Sequence, residues 1–563
     1  GEDALPDDLP PLLKRVYLNR GIASGEELDL ALARLEGTEA LGGLEQAVTL
    51  LHQALEEERR ILVVGDFDAD GATSSALAIR ALRAMGALDI HYLVPNRFDF
   101  GYGLTPPLVE IARELDPWLI ITVDNGISSI EGVAAARETG MHVLVPDHPL
   151  PPAELPAADA IVNPNLQDEE FPSKALAGVG VIFYVMVALR TRLRGLEWFE
   201  SKGIAEPNMA DYLDLVALGT VADLVPLDRN NRILVQNGLQ RIRAGRCCAG
   251  IMALLDVSRR DVATVTSTDL GFFVGPRLNA AGRLEDMSVG IECLLTDDPQ
   301  EARELAQQLD SLNRQRRDIE SVMKQQALAA LESLHLASEA LPAGICLFDD
   351  DWHQGVVGIV ASRVKEQYHR PAIVFAAENS EMLKGSARSI PGVHMRDLLD
   401  AIATRHPGLI TKFGGHAMAA GMSLPRSNFA KFRELFDHFV REQVDEQQLR
   451  GYLLSDGLLP KEELTLDHAR MLRDAGPWGQ GFPEPLFDDR FIILDQRIVG
   501  DNHLKLKLAP EQYQEVRLEA IAFSQADTHS LITGQLIQAA YRLDINAYMG
   551  RESLQLIIQA IIE

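Results

Sequence analysis

ILVVGDFDADG, residues 61–71, sets four aliphatic residues, three aspartates and a turn glycine in one short stretch. The aliphatic run reads as a fully buried strand, and TSSALAIRALRAMG (73–86) reads as the helix that follows it. Outward from this unit the rhythm repeats. HYLVPN (91–96), LIITVD (119–124), HVLVPD (142–147) and AIVNPN (160–165) are short β-rich runs, and GVAAARETG (132–140) is helical. Strands alternating with helices at these spacings predict βαβ units and a mostly parallel sheet.

In open α/β sheets ligands bind beyond the carboxyl ends of the strands. Acids stand there: Asp66, Asp68 and Asp70 after the first run, Asp124 after LIITVD, and Asp147 with His148 after HVLVPD. Asp223 follows another apolar segment in GTVADLVPL (219–227) and is grouped with them as a strand-end acid. A single Asp in such a place often only caps the next helix. The recurrence, with Gly71 and Gly126 close behind, points instead to one acidic rim that needs cations. Carboxylates with one imidazole suit hard Mn²⁺ or Mg²⁺. Two such ions can clamp a phosphoryl group.

The chain has 563 residues, which predicts about three to five domains. With 47% hydrophobic and 24% charged residues it is neither disordered nor fibrous. The excess of acid, 53 − 82 = −29, argues against non-specific duplex binding yet leaves room for a local basic groove. Cys247, Cys248, Cys293 and Cys346 show no metal-ligand spacing and no disulfide framework, as expected in a reducing compartment. The longest uncharged run, Ala175 to Leu189, is short of a membrane span. No basic-then-apolar signal precedes the fold, and a few native residues are expected before Gly1. The expectation is a cytoplasmic protein with no membrane partner.

Residues 1–55 read as an acidic helical lead-in, with EELDLALARL (26–35) and LEQAVTLLHQALEEERR (44–60) in helical period. Residues 56–297 hold the first α/β domain. Residues 298–336 form one long connector helix, capped by Asp297 or Asp298 with Pro299 in its first turn. Residues 337–447 return to β/α alternation, with GICLFDD (344–350) and RPAIVFA (370–376). Residues 448–563 carry strict alternation in HLKLKL (503–508) and through much of VRLEAIAF (516–523) and LQLIIQAII (554–562), which predicts a small barrel.

The ordered set GDFDADG, VDNG, DHP and GTVADLVPL resembles the DHH phosphoesterase superfamily. VPNRFDFGYGL (94–104), FPSKALAGVGV (171–181), GPRLNAAGRLEDM (275–287), WHQGVVGIVASRV (352–364), FGGHAMAAG (413–421) and AGPWGQGFPEPLF (475–487) narrow the likeness. They resemble the bacterial RecJ family of single-strand-specific DNA exonucleases, from about residue 10 to the C-terminus. The resemblance implies an α/β multidomain protein: a DHH parallel-sheet domain, the connector helix, a second α/β DHH-associated domain that grips nucleic acid, and a C-terminal OB-like barrel. It implies that Asp68 and Asp70 each serve one of two ions, with Asp66 as ligand or support. Asp124 would bridge them, His148 supply the imidazole, Asp147 orient the site and Asp223 complete it.

The resemblance also directs attention to substrate contacts. Arg277, Asn279 and Arg283 of GPRLNAAGR suit phosphate or base edges, or else a helix start with buried ion pairs. In the second α/β domain the candidates are His353, Lys384, Ser386, Arg388, Ser389 and His416. In the barrel, Lys505, Lys507, Tyr541 and Tyr548 are candidates for backbone and stacking contacts, although solvated strand faces and core aromatics are the commoner reading. The implied activity is 5′-to-3′ hydrolysis of single-stranded DNA in recombination and repair, beside a single-strand-binding protein and a RecQ-type helicase.

Three positions depart from the family pattern. Pro149 stands where the second histidine of Asp-His-His is usual, and it has neither imidazole nor N–H. Pro146 replaces a threonine, and Ala387 a glycine that would matter if the backbone there needed positive φ or close DNA approach. His142 lies near in sequence but on the far side of a strand. Two other readings follow: a single-strand-binding scaffold with weakened turnover, or a phosphodiesterase of short oligonucleotides.

Overall fold

The computed structural model describes residues 5–96, 100, 102–338, 341–444, 448–500, 502–526, 531–548 and 550–562. The chain forms two compact units. One gathers residues 1–282, 286–310 and 454–563, and the other residues 283–285 and 311–453.

In the first unit LEQAVTLL forms the helix Leu44–Glu56, which buries Leu44, Ala47, Val48, Leu51, Ala54 and Leu55 at helical spacing. EELDLALARL differs from the expectation. It makes two 3₁₀ turns, Gly25–Leu28 and Leu32–Arg34, with no buried side chain. Asp29 accepts the N–H of Ala31 at 3.2 Å and the Nε–H of Arg34 at 2.7 Å. Such local bonds compete with helix when no apolar face is buried.

The βαβ series then runs β1 (Ile61–Val64), α1 (Ala69–Ala84), β2 (Ile90–Leu93), α2 (Pro106–Glu114), β3 (Leu119–Thr122), α3 (Ile130–Glu138), β4 (His142–Pro146) and β5 (Ala160–Val162). All neighbours pair parallel, in the order β2-β1-β3-β4-β5. Every residue of β1 and β3 is buried, as expected of strands covered on both faces. Leu62, Val64, Ile120, Val143 and Val145 share a core with Leu108, Val109 and Ala112 of α2 and Val133 and Ala136 of α3. α4 (Gly178–Gly195) and α5 (Leu213–Ala222) pack with α1. From β1 the chain crosses to β2 on one side, while β3 lies on the other. A crevice therefore opens beyond the carboxyl ends of β1 and β3, the point where such sheets bind ligands.

A π-helical turn, Leu270–Val274, leads into α6 (Gly275–Leu284). α7 (Pro299–Ser338) is the predicted long helix, 40 residues without interruption. Its residues to Asp310 group with the first unit and those from Ser311 with the second. In the second unit β6 (Ile345–Phe348), α8 (Val357–Tyr368), β7 (Ala372–Ala377), β8 (Met382–Arg388), α9 (Met395–Arg405), β9 (Lys412–Gly415), β10 (Ala419–Pro425) and α10 (Phe429–Gln443) form a sheet ordered β6-β7-β8-β10-β9 between helices. α9 and α10 cover one face through Leu398, Leu399, Phe432 and Phe436. α8 and the far half of α7 cover the other through Val360, Val364, Met323 and Ala327.

Back in the first unit, β11 (Phe487–Val499), β12 (His503–Pro510), β13 (Leu518–Ala522), β14 (Leu536–Tyr548) and β15 (Arg551–Ile562) close a five-stranded barrel in the order β11-β12-β13-β15-β14. Among the described residues, no helix is long and apolar enough to cross a membrane.

Candidate metal centre and nucleic-acid contacts

Asp66 leaves β1 and accepts the N–H of Phe67 at 2.8 Å. Asp68 caps α1 and accepts the N–H of Gly71 at 2.9 Å. A Cβ at Gly71 would lie 2.6 Å from the carbonyl oxygen of Asp66, so this turn closes only on glycine. Asp70, 1% exposed, turns inward to the first turn of α4, where its two oxygens accept the N–H groups of Gly178 at 2.6 Å and Val179 at 2.9 Å. A helix N-terminus favours an anion in that place. Gly178 and Gly219 make the approach possible. A Cβ on Gly178 would lie 2.7 Å from Asp124 Oδ1, and one on Gly219 would lie 3.0 Å from Asp70 Oδ1.

Asp124 follows β3 with φ +58° and is 4% exposed. Its neighbour Asn125 ties the two central strands together, donating through Nδ2 to the carbonyls of Val64 and Val123. Asp147, fully buried after β4, accepts the N–H of Ile127 and of His148, each at 2.9 Å. His148 presents Nε2 to Asp124 Oδ1 at 3.1 Å and to Asp223 Oδ2 at 3.6 Å. Asp223 corrects one expectation. It ends the helix α5 rather than a strand. A carboxylate at the negative end of a helix dipole is disfavoured unless a cation joins it.

Two groups of ligand atoms result. Asp66, Asp68 and Asp124 form one, and Asp70, Asp124 and His148 the other, the atoms in each lying within 4.8 Å of one another. Asp124 is common to both. Burial is the first cause that pushes Asp70 up to about 6, with Asp68 adding repulsion against the relief from His148. Burial, then the charges of Asp70 and Asp68, hold Asp124 and Asp223 well above the usual carboxylate range. Burial also raises Asp147. Asn125 Oδ1, beside Asp124, is buried with no partner among the described residues. Crowded, desolvated oxygen donors with one imidazole fit hard divalent cations.

Sequence reasoning passed over Asn125, Gly178, Gly219 and Tyr102. Tyr102 donates to the carbonyl of Asp124 at 3.1 Å and meets Phe67 edge-on. All four sit in motifs quoted for their likeness. Their roles depend on chain crossings that no local pattern displays. Residues 97–99 and 101 of VPNRFDFGYGL lie outside the described residues.

Several expected substrate contacts are engaged within the protein. Arg277 gives Nε and Nη2 to Asp310 at 2.9 and 2.8 Å and Nη1 to the carbonyl of Phe273 at 2.6 Å. This is the buried ion pair of the alternative reading. Asn279 accepts the N–H of Ala69 at 2.8 Å and so supports the first turn of α1. Ser389 is 1% exposed and donates to the carbonyl of Val393 at 2.6 Å, which withdraws it from a substrate surface. Arg283 Nη1 donates to the carbonyl of Gly355 at 3.1 Å, and His353 Nδ1 accepts the N–H of Gly355 at 3.0 Å. Lys384, Ser386 and Arg388 alternate along one half-buried face of β8. A Cβ on Gly358, in the first turn of α8, would lie 2.9 Å from Ser386 Oγ and 3.0 Å from Arg388 Nη2. This is a place where helix N–H groups and a guanidinium converge. His416 is exposed between β9 and β10, its N–H on the carbonyl of Ala419 at 2.8 Å.

Ala387 belongs to the opposite, buried face of β8, paired with Ile373 and Ala420 in regular register. The expected awkwardness of a side chain there does not arise. Tyr541 is likewise a barrel-core residue against Phe487 and Phe491 rather than a stacking platform. Lys505 and Lys507 share Glu519 at 3.5 and 3.9 Å. The side chain of Tyr548 lies outside the described residues. His142 is bonded to Asp159 at 3.1 Å at the start of β4, about 13 Å of strand away from its acidic end.

Residues 60–220 match the DHH family N-terminal domain, residues 340–442 the DHHA1 domain and residues 455–560 the RecJ OB domain. The chain is 55% identical over 560 residues to the single-stranded-DNA-specific exonuclease RecJ of Dickeya dadantii, covering 99% of this chain and 97% of that protein. Its structure is similar to that of RecJ from Thermus thermophilus in complex with Mn²⁺, with a TM-score of 0.79 and 31% identity over 99% of this chain and 76% of that one. The Mg²⁺ complex of the Thermus protein gives a TM-score of 0.74 at 29% identity, over 99% and 75% of the two chains.

Proposed function

This chain belongs to the RecJ family of DHH phosphoesterases, and from that premise we propose that it is a metal-dependent exonuclease hydrolysing single-stranded DNA from the 5′ end. The observation that carries the reading is Asp124, shared by two ligand groups at the switch point of the sheet. Asp66, Asp68 and Asp124 would hold one Mn²⁺ or Mg²⁺, and Asp70, Asp124 and His148 the other, with Asp223 beside His148. When bound, such a pair supplies an activated water and neutralises charge on the phosphoryl oxygens.

The chain's own residues prepare that chemistry. Asp147 takes the N–H groups of Ile127 and His148 and so fixes the imidazole's backbone. Gly178 and Val179 hold Asp70 in one orientation. Asn279, bonded to Ala69, steadies the turn that carries Asp68 and Asp70. Pro149 leaves the scissile phosphate one donor short, which lowers the rate without dismantling the ligand set. Residues 56–297 would carry catalysis, residues 298–336 connect, and residues 337–447 and 448–563 grip the strand. Lys384, Ser386, Arg388, Arg283, His353 and His416 are the proposed grip of the second unit. A single-strand-binding protein and a RecQ-type helicase are the proposed partners, in recombination and repair within the cytoplasm.

Pro149 also favours a second reading, a single-strand-binding scaffold without turnover. Digestion of an end-labelled single strand in Mn²⁺ separates the two. Progressive release of mononucleotides from the 5′ end, lost in Asp124→Ala, is expected. Tight binding with no digestion would replace the enzyme by the scaffold. Faster cleavage of a dinucleotide than of a long strand would favour the short-oligonucleotide phosphodiesterase.

A further inference from the structure

One cavity of the first unit lies away from the metal centre. It has a volume of about 920 Å³ and is lined by Arg80, Arg241, Arg246, Arg260 and Arg303 against Asp211, Asp214, Asp256 and Asp297. Asp214 stands at the opening of α5 and Asp223 at its end. Nine residues of helix put the cavity about 14 Å from the acidic cluster. Arg80 is as far along α1 from Asp70.

The chain carries 82 acids to 53 bases, yet this wall holds more arginines than carboxylates. Arg260 reaches Asp269 outside the wall at 3.5 Å, and the pairings within the wall leave Arg246 and Arg303 over. Arg241 pairs with Asp211, and Asp214 is satisfied by the N–H groups of Leu215 and Cys248. Arg80 donates to the carbonyls of Leu294, Leu295 and Thr296, neutral partners, and reaches Asp297, which is mostly solvated. Arg246 and Arg303 line the same cavity with no ion-pair partner among the described residues. Guanidinium forks bind phosphate oxygens bidentately. Tyr212, Met252 and Val262 add an aromatic and apolar wall, and the volume is that of a site for a small organic ligand rather than a bare ion.

We propose that this cavity is a nucleotide-binding site, separate from the metal centre, in which Arg246 and Arg303 take the phosphate and the Tyr212, Met252 and Val262 wall takes the base. The site does not depend on the reading of the acidic cluster, because the two can be measured apart. Calorimetry on the full chain in EDTA, with dAMP, ADP and inorganic phosphate as probes, tests it without the metal centre. Saturable binding of a nucleotide is expected. Affinity should fall at least ~10-fold in Arg246→Glu/Arg303→Glu, since each lost fork removes a charge-assisted contact. Both residues are on the surface, so the double variant should melt with the wild type and digest DNA at the same basal rate. dAMP binding better than ADP would identify a reaction-product site, and the reverse a site for another cellular nucleotide. No binding of any probe at millimolar concentration, or binding untouched by the double variant, would overturn the proposal. Inorganic phosphate binding as tightly as the nucleotides would overturn the base subsite.

Discussion

Gly178 has no side chain because Asp124 occupies the space one would need, its Oδ1 2.7 Å from where a Cβ would stand. The same residue gives its N–H to Asp70, so one glycine sets the spacing of carboxylates from two strands. Gly178→Ala should therefore separate Asp70 from Asp124. Displacement of about 1 Å in such a constellation costs on the order of 10²-fold in rate, read as a loss of kcat on single-stranded DNA with weaker Mn²⁺ binding. Retained kcat would show that the helix yields instead. Pro149 is the opposite case, a side chain present where a donor is absent. Its carbonyl accepts Asn163 Nδ2 at 2.9 Å, and the carbonyl of His148 accepts Asn165 Nδ2 at 2.7 Å, so the loop is pinned through backbone oxygens that a histidine would keep. Pro149→His should then raise kcat, by up to about 10²–10³-fold if one donor to developing charge is restored, with Mn²⁺ affinity unchanged. An unaltered rate would place the missing donor elsewhere. Asp66, Asp68, Asp70, Asp124 and Asp147 were readable in the sequence because each follows an apolar strand, whereas Asp223 follows an apolar run that is a helix. Gly178 was not, since its constraint comes from a residue 54 positions earlier.

Among the elements, α7 shows how an apparent binding residue becomes structural. Arg277 projects from α6 onto Asp310, and the two side chains are 12% and 8% exposed. Removing one partner of such a buried pair costs about 3–5 kcal/mol. Arg277→Ala should lower the melting temperature markedly, and its DNA affinity should fall only in proportion to the unfolded fraction. A stable variant with weaker, less salt-dependent DNA binding would return the arginine to the substrate. The motif GPRLNAAGR displayed an arginine but not its partner, because Asp310 lies about three turns inside a helix that the sequence presents as a connector. The strands differ in the same way. Those of the first sheet are short apolar runs and stand out. β11, 13 residues long, carries an extra residue, Leu494, in its pairing with β12, and this bulge breaks the period-two pattern and hides the strand. β8 was seen as charged residues, and only its pairing shows that Ser386 and Ala387 serve opposite faces.

Over the whole molecule, the acidic cluster sets stability against pH. Without metal, Asp70 is raised from 3.8 to about 6, and burial and the neighbouring charges hold Asp124 and Asp223 well above the usual carboxylate range. Between pH 3.8 and 6 the folded chain keeps a proton on Asp70 that the unfolded chain has lost. Where the folded state binds more protons, stability falls as pH rises. The metal-free protein thus loses this contribution upward through that window, and the raised Asp124 and Asp223 act in the same direction. A bound divalent cation replaces those protons, so its stabilisation must grow in the same direction. Melting curves with and without Mn²⁺ should show a larger Mn²⁺-induced rise at pH 7.5 than at pH 5. Other carboxylates are shifted the opposite way, Asp89 by Arg60 and Glu206 by Arg194 among them, so the total pH profile mixes both signs. Asp124→Asn isolates the cluster. In EDTA at pH 7.5 it should melt above the wild type, because a buried charge that is costly to keep has been removed. Near pH 4 the two should converge, since the wild-type carboxyl is then neutral. A wild type more stable than Asp124→Asn in EDTA at pH 7.5 would mean that Asp66, Asp68, Asp70, Asp124, Asp223 and His148 balance one another unaided, and the need for a cation would disappear with that result.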